Sequence, residues 1–331
     1  MRSAVGPRGS ACLGLLCCSG LLAAPCSTMA YVRTRTSSCQ PLAWQQSCVY
    51  IQADHDYVGD LPSADIEEAI KDAIDSWQTL TNPGSFLLLK HLPADKPRET
   101  LASDGLQVIK FRPAKWCRPA RSGAAAVCYD PSALAITTVT YMTKPGSARD
   151  GQILDADIEL NAAHVRFTRL APGQPGGAPS PGDPRPPVDL WNTLTHELGH
   201  LQGLDHVCSS ASDVDTQCTV DDQGLPRPLC IDVANQQSGN LRYAAIAGAA
   251  MSGITELQET RKRVPQADDV HAIVDAYPVR NDPNHCPSPE GSAGCAAIAA
   301  RAEAPVWAFA ALGALGLGLS LFRRRRQRRT R

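Results

Sequence analysis

The eleven residues His196-Glu197-Leu198-Gly199-His200-Leu201-Gln202-Gly203-Leu204-Asp205-His206 follow the pattern HExxHxxGxxH, and each fixed position has a chemical reason. Four residues of helix make about one turn, so His196 and His200 share a face and their imidazoles can converge on one metal ion. Glu197 lies beside that face. From there its carboxylate can take a proton from a metal-activated water and return it to a leaving amine without being a ligand itself. Gly203 can adopt a positive φ, end the helix and swing His206 back as a third ligand. Three neutral imidazoles with one position left for water is the arrangement of a catalytic zinc, not of a closed structural one. The first two histidines alone are a moderate signal. The glycine and third histidine make it specific, against the plainer reading of an amphipathic helix with surface histidines.

These residues resemble the active site of the metzincin clan of zinc metalloproteases, and the form HELGHxxGLxH is most similar to the matrixins, the matrix-metalloproteinase-like family. The resemblance implies an α+β catalytic domain: a mixed twisted sheet, an active-site helix, a C-terminal helix, and upper and lower subdomains around a cleft. It implies Zn2+ held by His196, His200 and His206, Glu197 as general base and acid, and a methionine turn beneath the metal. Met251, in Ala249-Ala250-Met251-Ser252-Gly253, is the candidate for that turn. The stretch from Gln266 to Pro278 resembles the closing helix, and Asp268 and Asp269 in its first turn also suit the helix macrodipole. The likeness covers roughly residues 45 to 280. The chain departs from the family in four places. No cysteine-containing propeptide motif is visible, 44 residues separate His206 from Met251, Ser252-Gly253 stand where Tyr-Pro is common, and Val207 stands where Ser is common. The insert, about residues 208–245, carries Cys208, Cys218 and Cys230 and is expected to form a disulfide-stapled loop beside the cleft.

Several elements must position this constellation. Ser47 to Ile51 reads as a first strand. Ser63 to Trp77 is an amphipathic helix with apolar residues at Ile66, Ala69, Ile70, Ala73, Ile74 and Trp77, and with Ser63 and Asp65 as cap candidates. Leu106–Phe111, Ala135–Met142 and Ile153–Leu160 read as further strands, rich in β-branched residues. The Pro- and Gly-rich stretch 171–187 is a loop leading to a helix that Asp189 would cap. By family analogy an exposed edge strand lies within or beside Gly151 to Asn161 and pairs with an extended peptide, which makes Ile153, Leu154 and Asp155 candidate substrate-binding residues. The acids of that stretch are read either as solvated or as holding Ca2+.

The ends and the cysteines set the compartment. Residues 1–30 carry Arg2, Arg8 and an apolar run from Ala11 to Ala24, the pattern of a secretory signal peptide. The protease domain is expected over 31–280 and a linker over 281–304. A transmembrane helix of minimal length follows over 305–322, then a basic cytoplasmic tail over 323–331. Ser292-Ala293-Gly294-Cys295, the apolar run and the arginine cluster resemble the C-terminal sorting tag of myxobacterial exported proteins, which implies that Cys295 is processed and anchored. The alternative is an ordinary single-span anchor. Eight further cysteines, from Cys39 to Cys286, suggest up to four disulfides, with Cys39–Cys48 and Cys117–Cys128 the simplest pairs. The overall charge of −1 contains seven tail arginines and two near the start, which leaves residues 31–322 at −10. So acidic an ectodomain argues against nucleic acid as a partner. The expectation is therefore a monomeric, exported zinc endopeptidase acting on protein or peptide at the cell surface or released from it. A non-catalytic adhesion module on the same scaffold is the alternative, and the presence of Glu197 disfavours it.

Overall fold

The structure, a computed structural model, describes residues 31–54, 60–94, 100, 105–120, 125–171, 182–210, 217–256 and 258–288. The expected signal peptide, Cys295, the apolar span and the basic tail lie outside these residues. Among the described residues no helix is long and apolar enough to cross a membrane.

A mixed five-stranded sheet is built from β1 (Cys48–Ala53), β2 (Leu88–Leu92), β3 (Gln107–Phe111), β4 (Ala135–Tyr141) and β5 (Ile153–Leu160), in the order β2-β1-β3-β5-β4. The first four positions run parallel, and β4 closes one edge antiparallel to β5. Parallel neighbours need a crossover, and α1 (Ser63–Thr81) supplies the one between β1 and β2. The apolar stripe on α1 is buried as its spacing predicts, from Ile66 to Trp77. Its start differs from expectation. Ser63 is already helical, Pro62 occupies the cap position, and the Pro62 carbonyl takes the first bonds from Asp65 and Ile66 N–H, so neither Ser63 nor Asp65 caps through its side chain. Strand β2, a short run of leucines before Pro93, was not expected as a strand.

Helix α2 (Leu190–Leu201) crosses beneath the sheet and packs on α1, with the Trp77 indole N–H donating to the Thr195 carbonyl at 2.9 Å. The end of the Pro-rich loop is ordered: Pro187–Asp189 pairs in parallel with Arg166–Thr168 and delivers Asp189 to the cap of α2. The insert folds into α3 (Cys230–Gln236) and α4 (Leu241–Gly248), and α5 (Ala267–Ala276) closes the domain.

Of the two placements expected for the edge strand, within or beside residues 151–161, the structure shows the second. Ile153–Leu160 lies inside the sheet, paired to β3 on one side and β4 on the other, and Ile153 and Asp155 are buried. The segment borders an edge rather than forming it; β4 is the edge strand beside it, with no further strand partner among the described residues. The acids of β5 are not solvated either. Glu159 is fully buried and accepts hydrogen bonds from Arg112, Arg118 and Tyr129, which hold it below the usual carboxylate range against the cost of burial. Asp157 accepts from the Val108 amide at 3.0 Å.

Four disulfides use all eight described cysteines, an arrangement consistent with an extracellular protein. Cys117–Cys128 and the insert's Cys208–Cys230 are local. The guess Cys39–Cys48 is wrong: Cys39 reaches Cys218 across 179 residues and Cys48 reaches Cys286 across 238. The Cys48 bond also docks the start of the expected linker, where the Ser47 amide donates to His285 O at 2.7 Å. Because long loops lose the most entropy when closed, replacing Cys39 and Cys218 together by serine is expected to lower the unfolding free energy by about 2–4 kcal/mol in denaturant titrations. An unchanged midpoint would show that the bond does not form.

Candidate metal centre

His196 and His200 project from consecutive turns of α2. Their Nε2 atoms lie 3.0 and 3.1 Å from the Nε2 of His206. The three histidines are the one group of three or more metal-ligating side chains that converge among the described residues, with all donor atoms within 4.8 Å. On the opposite side of two rings, backbone carbonyls set the tautomer. His196 Nδ1 donates to Ala250 O at 2.5 Å and His200 Nδ1 to Leu204 O at 2.9 Å, so each Nε2 turns a lone pair inward. With His206 in the matching tautomer, three nitrogen donors would face one point, which a cation could occupy. Nitrogens at a zinc–nitrogen distance of ~2.0–2.1 Å in a tetrahedral site would be about 3.3 Å apart, close to the spacing seen. Burial, reinforced by the Lys262 ammonium and the neighbouring imidazoles, pushes His196 and His206 well below the usual histidine range, which keeps both in the neutral form that binds metal. The donor set could therefore hold a metal ion.

The end of α2 is engineered by close approach. Gly203 has φ +91° and a Cβ there would lie 2.7 Å from the Leu42 carbonyl oxygen, so both conformation and space require glycine. The Thr34 amide donates to Gly203 O at 3.0 Å, the Thr34 hydroxyl to Leu204 O at 3.0 Å, and Val32–Arg33 pairs with Leu204–Asp205. Trp44 Nε1 donates to Leu201 O at 2.8 Å and Tyr277 OH to Gln202 O at 2.7 Å, occupying carbonyls that the helix terminus leaves free. Arg227 of the insert donates to Asp205 Oδ1 and to His206 O. The insert thus braces the loop that carries the third histidine.

Met251 is buried under α2. A Cβ on Gly199 would stand only 2.1 Å from its sulfur, so the helix can settle on Met251 because position 199 has no side chain. Asp269, noted in the sequence only as an acid in a first helical turn, is buried and does more. It accepts from the amides of Ala250 at 2.7 Å, Met251 at 3.2 Å and Gln266 at 2.8 Å. It thereby fixes the turn whose carbonyl orients His196. Lys262, which sequence reasoning missed, is buried with its ammonium donating to Ser252 O, Ile254 O and Thr255 Oγ1, and burial lowers it to about 8. It pins the segment in which Gly253 packs against the His206 ring.

Glu197 points into the same cleft. Its Oε2 accepts from the Thr137 hydroxyl on β4 at 2.6 Å, and burial raises its pKa above the usual carboxylate range. The cleft, about 670 Å³, is lined by β4 residues including Thr137, Val139 and Tyr141 on one side and by Asn192, the three histidines, Gly253 and Thr255 on the other. Ile153, Leu154 and Asp155 do not line it. No protein-family model matches the chain, and no curated protein matches it.

Proposed function

We propose that this chain is an exported zinc-dependent endopeptidase of metzincin type, most like the matrixins, held at the cell surface by its C-terminal segment or released from it. One observation carries the reading: three converging imidazole nitrogens and a carboxylate outside that donor set share a cleft walled on one side by β4, an edge strand among the described residues. His196, His200 and His206 would hold Zn2+. When bound, the ion supplies Lewis acidity that polarises a carbonyl and acidifies a water. Glu197 takes the proton of the attacking water and passes it to the leaving amine, a role suited to a carboxylate whose proton affinity burial has raised. The outer edge of β4, which has no further strand partner among the described residues, holds an extended peptide by strand addition across the cleft. That places the peptide beside Glu197, since Thr137 belongs to the same strand. A binding module has no use for this carboxylate at that position.

The test is metal removal. The zinc-loaded protein is expected to bind one zinc per chain and to cleave members of an unbiased peptide library. Chelation should abolish cleavage, and added zinc should restore it. One zinc per chain with no cleavage across the library would sink the endopeptidase reading.

A further inference from the structure

We infer that Thr137 is a positioning residue for Glu197, holding the carboxylate in the one orientation that leaves Oε1 to face the water. The inference rests on the endopeptidase reading. The geometry is specific. Thr137 Oγ1 lies 2.6 Å from Glu197 Oε2 and 3.3 Å from the Glu197 backbone carbonyl. A hydroxyl has one proton to give, and the shorter, charge-assisted bond to the carboxylate takes it. No other hydrogen bond to the Glu197 carboxylate is present among the described residues, so this contact alone fixes its rotation about the last side-chain bond.

The two partners come from different elements. Glu197 sits on α2 between the first two histidines, whereas Thr137 sits on β4, the edge strand. Alternation along β4 sends neighbouring threonines to opposite faces: Thr137 meets Glu197, while Thr138 accepts from Arg118 at 2.9 Å on the other side. The hydroxyl therefore links the strand on which a peptide pairs to the group that moves the proton. A carboxylate free to rotate would spend only part of its time aimed at the water, and a loss of that kind appears in kcat rather than in substrate binding.

Thr137→Val keeps the shape and β-branching of the side chain and removes only the hydroxyl, whereas Thr137→Ser keeps the hydroxyl and removes the methyl. In the full zinc-loaded chain, Thr137→Val is expected to lower kcat about 10- to 100-fold, the loss associated with one charge-assisted hydrogen bond, with KM within about twofold of wild type. Thr137→Ser should restore most of kcat. Zinc affinity, measured by competition with a chelator, should be the same in all three proteins. Independently of activity, crystal structures of the metal-free proteins should show the Glu197 carboxylate in one position in wild type and Thr137→Ser and displaced in Thr137→Val. An unmoved carboxylate in Thr137→Val overturns the inference, as does an unchanged kcat. So does a serine variant as impaired as the valine one, which would mean that the methyl packing matters and the hydroxyl does not. If the wild-type chain cleaves nothing, the endopeptidase reading fails, and the crystallographic comparison still decides whether Thr137 orients Glu197.

Discussion

Glu197→Gln is expected to lower kcat/KM for peptide cleavage by about 10²- to 10⁴-fold, the range that a lost general base removes. Zinc content should stay at one per chain, because the carboxylate is not among the three converging donors. The amide nearly matches the carboxylate in shape and can still accept from Thr137 through its oxygen. Stability supplies a control of definite sign. In the metal-free protein burial disfavours the charged form of Glu197, so a neutral side chain in its place removes an electrostatic cost, and the metal-free thermal midpoint should equal or exceed that of metal-free wild type. A variant that is inactive because it has lost zinc, or that melts lower than wild type when both are metal-free, would place the effect of the substitution in structure rather than in proton transfer. Full activity would remove Glu197 from the mechanism.

What the sequence made legible was local. The spacing from His196 to His206 dictates a helix turn, a glycine break and a returning ligand within eleven residues, and the structure brings those three rings together. The apolar stripe of α1 and the cap at Asp189 are likewise decided by neighbours a few residues away. What was not legible depends on partners far along the chain. Cys39 lies nine residues before Cys48, but its partner is Cys218, because the N-terminal strand runs beside Leu204–Asp205 and the insert. Ile153–Leu160 has the alternation of a strand, but alternation says nothing about which strand lies outermost. Ile153–Leu160 folds back antiparallel onto β4, and only that order of pairing leaves β4 at the edge. Leu88–Leu92 was missed because five residues of leucine, lysine and histidine carry no helix or strand period of their own. Thr137 and Lys262 carried no motif at all. Each matters through hydrogen bonds to a segment at least seven residues away, Thr137 to Glu197 and Lys262 to Ser252 O, Ile254 O and Thr255 Oγ1.

Asp189→Ala is expected to be the most destabilising single substitution near the site, at about 3–5 kcal/mol, because it removes one partner of a buried ion pair and leaves the other charge behind. The Asp189 carboxylate has no solvent exposure. It accepts from the Asn192 amide at 2.8 Å as the cap of α2, from the Leu170 amide at 2.9 Å, and from Arg263 Nε and Nη2 at 2.8 and 2.5 Å. Alanine loses the helix cap and leaves the Arg263 guanidinium, itself nearly buried, with the Leu170 carbonyl and the face of Trp191 for company. For a domain of this size a loss of that order corresponds to a fall in melting temperature of about 6–20 °C. The double variant Asp189→Ala with Arg263→Met separates the two contributions. Taking away the stranded cation should recover part of the loss, because an apolar side chain tolerates that burial, while the missing cap keeps stability about 1 kcal/mol below wild type. If the double variant is no more stable than Asp189→Ala, the Arg263 charge is not stranded and the pair contributes less than its burial implies. Since α2 carries His196, Glu197 and His200, the single variant should also release zinc at lower chelator concentrations than wild type, which links the fold's buried ion pair to the competence of the metal centre.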